Sequence, residues 1–206
     1  MKTDAVTPAD LARSVIAVPP LARAANGAVS LAENRKILEW MAAGGISTFL
    51  YGGNANFYNL GLLEYPLTLE VLSGIAPKGA FVIPSIGPDF GKALDQVTML
   101  KSFDFPTAMA LPMASATKPA GVATGLRRLA DAYGRPVVAY VRAETYLAVA
   151  DIAALLADGV RLAGIADTGP LQPYLANLDE SQTGAVAAAA SALRAENAQR
   201  MHRTAA

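Results

Sequence analysis

The chain has no cysteine, a single histidine and no excess charge of either sign. The first absence removes disulfides, thiolate nucleophiles and every cysteine-containing metal site. The histidine, His202, falls in the last five residues, where a fraying chain end cannot hold an imidazole between an acid and a nucleophile, so histidine-based chemistry is not expected. Seventeen basic residues balance seventeen acidic ones; this leaves no electrostatic footprint for nucleic acid or an anionic membrane, and no basic tail. Long hydrophobic runs are missing as well. The apolar stretch from Val15 to Leu21 is broken by Pro19 and Pro20 and preceded by Asp4 and Asp10, which fits neither a signal peptide nor a membrane span and leads to the expectation of a cytoplasmic protein.

What is present is apolar material. The 206 residues are 53% hydrophobic and 17% charged, with a mean hydropathy of +0.31. That excludes disorder and suffices for one large core, read here as a single domain over residues 1–206. Short β-rich runs recur: Val15 to Val18, Ile46 to Tyr51, Phe81 to Pro84, Thr107 to Pro112, Val137 to Val141 and Leu162 to Ala166. Their starts lie 31, 35, 26, 30 and 25 residues apart. Each interval holds one helix-period segment, the sequence form of a repeated βα unit.

The first such helix has Ser30 as N-cap with Glu33 three residues on, a capping box, then the stripe Ile37, Leu38 and Met41, and it stops at Gly44 and Gly45. Further helices are predicted from Leu62 to Ile75, Asp89 to Ser102, Gly121 to Tyr133 and Val149 to Ala157. Strands that are apolar almost throughout, such as FVIP and PVVAYV, suit a parallel sheet covered by helices. The alternatives are a (β/α)8 TIM barrel and a doubly wound open sheet. Six units reach residue 166, and the 40 residues that follow fall short of the roughly 58 that two more units of this size would need in an eight-stranded barrel. They turn alanine-rich instead and read as one helix from about Gly184 to Arg200. The expectation is an incomplete barrel of about six βα units plus an atypical helical tail over 170–206, from truncation, frameshift or natural shortening.

In either architecture ligands bind at the C-terminal ends of the strands. The segments there are Pro19-Pro20, Gly52 to Asn56, Pro84-Ser85, Pro112-Met113, Tyr140 with Arg142, and Ala166-Asp167-Thr168. In YGGNANFYNL two glycines after a strand let backbone N–H groups approach a small anion, and Asn54 and Asn56 add neutral donors. The same glycines also suit a plain tight turn. Tyr140 ends a buried strand, as a proton relay or as packing with a wet tip. Arg142, two residues on, points the same way and can grip a carboxylate with two hydrogen bonds, or is an ordinary surface arginine.

These segments, in this order, resemble the dihydrodipicolinate synthase and N-acetylneuraminate lyase family, class I aldolases on a (β/α)8 barrel. AGGISTFLYGGNANFYNLGLLEYPLTLE is similar to the family's second strand and its carboxylate loop, RPVVAYV to the strand ending in the catalytic tyrosine, and LAGIADTG to the strand carrying the Schiff-base lysine. SVIAVPPLARAANGAVSLAENRKILEW has the family's opening cadence, so the likeness runs from Ser14 to Gly169. The resemblance implies a lyase or synthase acting on pyruvate or another α-keto acid, and no cofactor or metal is expected. An unclosed barrel would leave the first and sixth strands as unpaired apolar edges, so either the tail helix covers the gap or the chain forms a homo-oligomer. The resemblance places Gly53 and Asn54 where the family has two hydroxyl residues on the substrate carboxylate, and Tyr140 at the proton-relaying tyrosine. Met113 and Ala114 stand where a further tyrosine is usual.

The main departure is Ala166, which occupies the lysine position. An imine needs a primary amine, partly neutral near pH 7, and alanine has none. Of the six lysines, Lys2 is terminal, Lys36, Lys92 and Lys101 are on predicted helices, and Lys78 is on the opposite face of the barrel. Only Lys118 falls on the catalytic side, in a loop where an ammonium stays solvated. Three hypotheses follow: an impaired aldolase-family enzyme, a non-catalytic carboxylate-binding or assembly relative, and an unrelated open-sheet phosphate binder, for which no GxGxxG or Walker pattern is present.

Overall fold

The computed structural model describes residues 1–13, 15–113, 117–143, 145–157 and 162–165, with the backbone alone at 8, 156–157 and 162–165. The chain divides into two units, Met1–Thr168 and Gly169–Ala206; the alanine-rich helix expected in the second lies outside the described residues. In the first unit every expected strand forms: β1 (Ile16–Ala17), β2 (Thr48–Tyr51), β3 (Phe81–Ile86), β4 (Ala108–Ala110), β5 (Val137–Ala139) and β6 (Leu162–Ile165). They make one parallel sheet in chain order. Sequential order with helical crossovers is the arrangement of a curling barrel sheet, whereas a doubly wound sheet reverses its strand order.

The helices are α1 (Pro8–Ala12), α2 (Leu31–Ala43), α3 (Tyr65–Ile75), α4 (Phe90–Leu100), α5 (Pro119–Tyr133) and α6 (Val149–Ala157). At the start of α2 the Ser30 hydroxyl accepts from the Glu33 N–H at 3.3 Å. The Glu33 carboxylate pairs with Lys36 at 2.8 Å, so only half of the expected capping box forms; a neighbouring ammonium is a stronger partner for a carboxylate than a cap N–H. α5 opens on Pro119, whose missing N–H costs nothing at a first turn, and closes on Gly134 in the left-handed region at φ +71°.

Every residue of β2, β3, β4 and β5 is buried. α2 packs on α3, α4 on α3 and α5, and α5 on α6. Fully buried side chains such as Phe49, Leu72, Ile83 and Leu100 each contribute about 2 kcal/mol to the core. Polar ties run between the layers: the Tyr65 hydroxyl donates to the Ser85 carbonyl at 3.1 Å and the Tyr133 hydroxyl to the Phe105 carbonyl at 2.9 Å. Buried Asn34 on α2 accepts from the Ala22 N–H at 2.9 Å and donates back to the Ala22 carbonyl at 2.8 Å, imitating a β-pair that holds the chain after β1.

The N-terminal helix α1 was not expected from periodicity. It is five residues long, too short for a stripe, and is set by the Thr7–Asp10 capping box. The segment before it crosses the N-terminal ends of the strands, where the Lys2 N–H donates to the Ala80 carbonyl at 2.8 Å and Arg135 to the Thr3 carbonyl at 2.7 Å. α1 precedes the first strand of the sheet yet lies against the last, β6; a flat sheet would hold them apart. No helix of the described residues is long and apolar enough to cross a membrane.

Candidate functional site

The opposite rim, at the C-terminal ends of the strands, carries the chemistry-bearing residues. After β2 the chain makes two 3-10 turns, Gly53–Ala55 and Phe57–Asn59, joined by Asn56 in the left-handed region at φ 59°. The N–H groups of Ala55, Asn56 and Phe57 are bonded back to the Gly52 and Gly53 carbonyls. Those of Gly53 and Asn54, first in the turn, stay outside this ladder, and both residues are exposed. Asn56, expected as a donor, instead accepts from Asn59 at 2.6 Å and serves the turn.

The turns swing Tyr58 back over the sheet. A Cβ on Gly53 would stand 3.6 Å from the Tyr58 ring, so the bare backbone of Gly53 and the phenol form one surface. The Tyr58 hydroxyl donates to the Pro112 carbonyl at 3.4 Å. Burial pushes its pKa up, while the charge of Arg142 and a hydrogen bond from it oppose the shift. The phenol of Tyr140 adds to the rise. Tyr58 thus brings together Gly53, Tyr140 and Arg142, which were read separately from the sequence. Tyr146, half-buried beyond β5, has its pKa raised by burial and then by Tyr58.

Tyr58, Arg142 and Tyr146 line a cleft of about 770 Å3, together with Asp89, Pro112 and Thr145 among others; Gly53 and Tyr140 are not among its lining residues. Among the described lining residues Arg142 is the cation, with three phenols near. That set can bind a carboxylate, hydrogen-bond an oxo group and hand on a proton; it has no amine nucleophile. Among the described residues no group of three or more histidine, cysteine, aspartate and glutamate side chains is placed to hold a metal ion.

Tyr58 and Tyr146 do not stand out in the sequence, because periodicity does not show how a turn re-aims a side chain. Ser85, in one of the strand-end segments singled out in the sequence, buries a hydroxyl that has no hydrogen-bond partner among the described residues and would lie 3.5 Å from a Cβ on Gly52. Lys92, assigned to a helix, sits at the first turn of α4 and donates to the Tyr58 carbonyl at 3.0 Å. It is therefore a second lysine on this rim, beside exposed Lys118. Tyr140 directly follows Ala139, which is paired with Ile165. Ala166, next after Ile165, lies outside the described residues, as does Ala114.

No protein-family model and no curated protein matches the chain. Solved structures do. A dihydrodipicolinate synthase from Oceanobacillus iheyensis is similar with a TM-score of 0.63 at 18% identity, over 72% of this chain and 50% of that one. A sialic acid aldolase from Ruminococcus gnavus is similar with a TM-score of 0.64 at 11% identity, over 74% and 52%. A prophage protein of the dihydrodipicolinic acid synthase family from E. coli K12, solved in complex with pyruvate, gives 0.55 at 15%, over 62% and 44%. The chain thus spans about half the length of the solved structures it matches, and shares with them the aldolase-type TIM-barrel fold.

Proposed function

We propose that the protein binds pyruvate or a related α-keto acid at the C-terminal rim of its sheet, as a relative of the dihydrodipicolinate synthase and N-acetylneuraminate lyase enzymes that lacks their imine-forming amine. The observation that carries this reading is the convergence of Gly53, Tyr58, Tyr140 and Arg142 at one rim, in a fold whose solved neighbours include a pyruvate complex. The carboxylate is received by the Gly53 and Asn54 N–H groups, neutral donors that need no partner residue. Arg142 supplies the positive charge. Tyr140, at the end of β5, holds or moves a proton at the keto oxygen.

Ala166 at the lysine position offers no amine there for the covalent adduct of a class I aldolase. Calorimetry or ligand-observed NMR with pyruvate tests binding, and saturable binding is expected. Borohydride reduction in the presence of pyruvate is expected to leave the protein mass unchanged. A reduced adduct mapped to Lys118 or Lys92 would show that another amine serves and that the chain is a working lyase.

Ala166 also favours a second reading, a non-catalytic carboxylate-binding or assembly subunit, which associates with further copies of itself. Turnover of pyruvate with an aldehyde separates an impaired lyase, in which another amine such as Lys118 or Lys92 gives residual turnover, from a non-catalytic subunit, which gives none.

A further inference from the structure

Behind the polar cleft lies a second space of about 380 Å3 between α4 and α5. Its walls are mainly apolar, with Ile86, Phe90, Val122, Leu126 and Leu129 around it, and Thr124, Lys118 and Arg128 supply the polar part. It exists because α5 carries glycine at 121 and 125, one turn apart on the same face. A Cβ on Gly121 would meet nothing within 4 Å, and one on Gly125 would only touch the Phe90 ring at 3.5 Å. The two spaces share four wall residues, Pro88, Met113, Thr117 and Tyr146. A molecule held by its carboxylate near Arg142 therefore has an apolar chamber next to it. Of the shared side chains Met113 is the one able to change shape at low cost, since a thioether chain is flexible.

We infer that the two spaces form one site, and that the ligand is an α-keto acid bearing an apolar arm, aryl or alkyl, rather than a polyhydroxylated one. The inference rests on the keto-acid reading above and names the substrate class within it. A hydroxylated chain would bring hydroxyl groups against Phe90, Leu126 and Leu129, which offer no partner, although Thr117, Lys118, Thr124 and Arg128 also line the space; any hydroxyl left unpaired there is costly to bury. An aryl arm gains from the same walls.

The test compares the affinities of pyruvate and 2-oxo-4-phenylbutanoate for the full chain, by calorimetry or ligand-observed NMR. The aryl acid is expected to bind at least about tenfold more tightly. Gly121→Leu fills the chamber from the first turn of α5, where leucine is the better helix former, and is expected to bring the affinity ratio back toward one. Gly125→Leu should do the same from the next turn, which guards against a fault peculiar to one variant; unchanged melting temperatures establish that both fold. Equal affinities for the two acids, or a ratio that survives both substitutions, would overturn the chamber while leaving pyruvate binding intact. Failure of both acids to bind overturns the keto-acid reading and this inference with it.

Discussion

The hydroxyl of Tyr58, on the turns after β2, reaches the carbonyl of Pro112, beyond β4, at 3.4 Å. The two residues belong to strands separated by β3 in the sheet, so one hydrogen bond closes the rim across three strand ends. Its donor is also the phenol beside Arg142, which makes the same side chain a structural tie and part of the candidate site.

Tyr58→Phe is expected to weaken pyruvate binding about tenfold by freeing the Arg142 guanidinium, while costing about 1 kcal/mol or less in stability. Because the Tyr58 pKa is raised by burial, the phenol stays protonated through neutral pH. Binding by the unaltered protein should therefore be flat from about pH 7 to 9 as far as this group is concerned. Calorimetry at several pH values checks both statements, and equal affinity in Tyr58→Phe would remove Tyr58 from the site.

Ser85→Ala is expected to leave the melting temperature unchanged or raise it, by the equivalent of up to about 1 kcal/mol. The hydroxyl is buried with no partner among the described residues, and deleting an unpaired buried polar group removes a penalty. A clear loss of stability in a thermal melt would mean that the hydroxyl is satisfied.

Asn34→Ala should be among the more damaging single changes outside the sheet, at about 3 kcal/mol in chemical denaturation. The amide serves both polar groups of Ala22 and also donates to the Ser30 carbonyl at 2.7 Å. Asn34→Asp should rescue little: it keeps the acceptor but sets a carboxylate against two carbonyl oxygens.

Alkaline pH should unfold the protein through its buried phenols. Burial raises the pKa values of Tyr51, Tyr65 and Tyr133 above the ordinary tyrosine value. Above about pH 10 the unfolded chain loses these protons while the folded chain keeps them, so stability is full below that pH and falls as pH climbs toward the folded-state values. Denaturation midpoints measured from pH 8 to 11.5, roughly, should show this onset. Tyr133→Phe should lower the slope by about one proton; an unchanged slope would place Tyr133 outside the coupled set.

The βα repeat was legible along the chain because parallel strands buried on both faces must be apolar throughout, and FVIP and PVVAYV are. The crossover helices had to fit between them, so the spacing of the runs dictated their number and order. α1 left no such trace, since five residues carry no period and Thr7 and Asp10 set it locally. Gly53, Asn54, Tyr140 and Arg142 could be nominated one at a time from their places at strand ends. That they meet through Tyr58 was decided in three dimensions, by two 3-10 turns and a left-handed Asn56 that no hydrophobic pattern encodes. The chamber between α4 and α5 has the same origin. Gly121 and Gly125 read in sequence as poor helix formers, and only the approach of Phe90 and the end of β4 turns two missing side chains into a space.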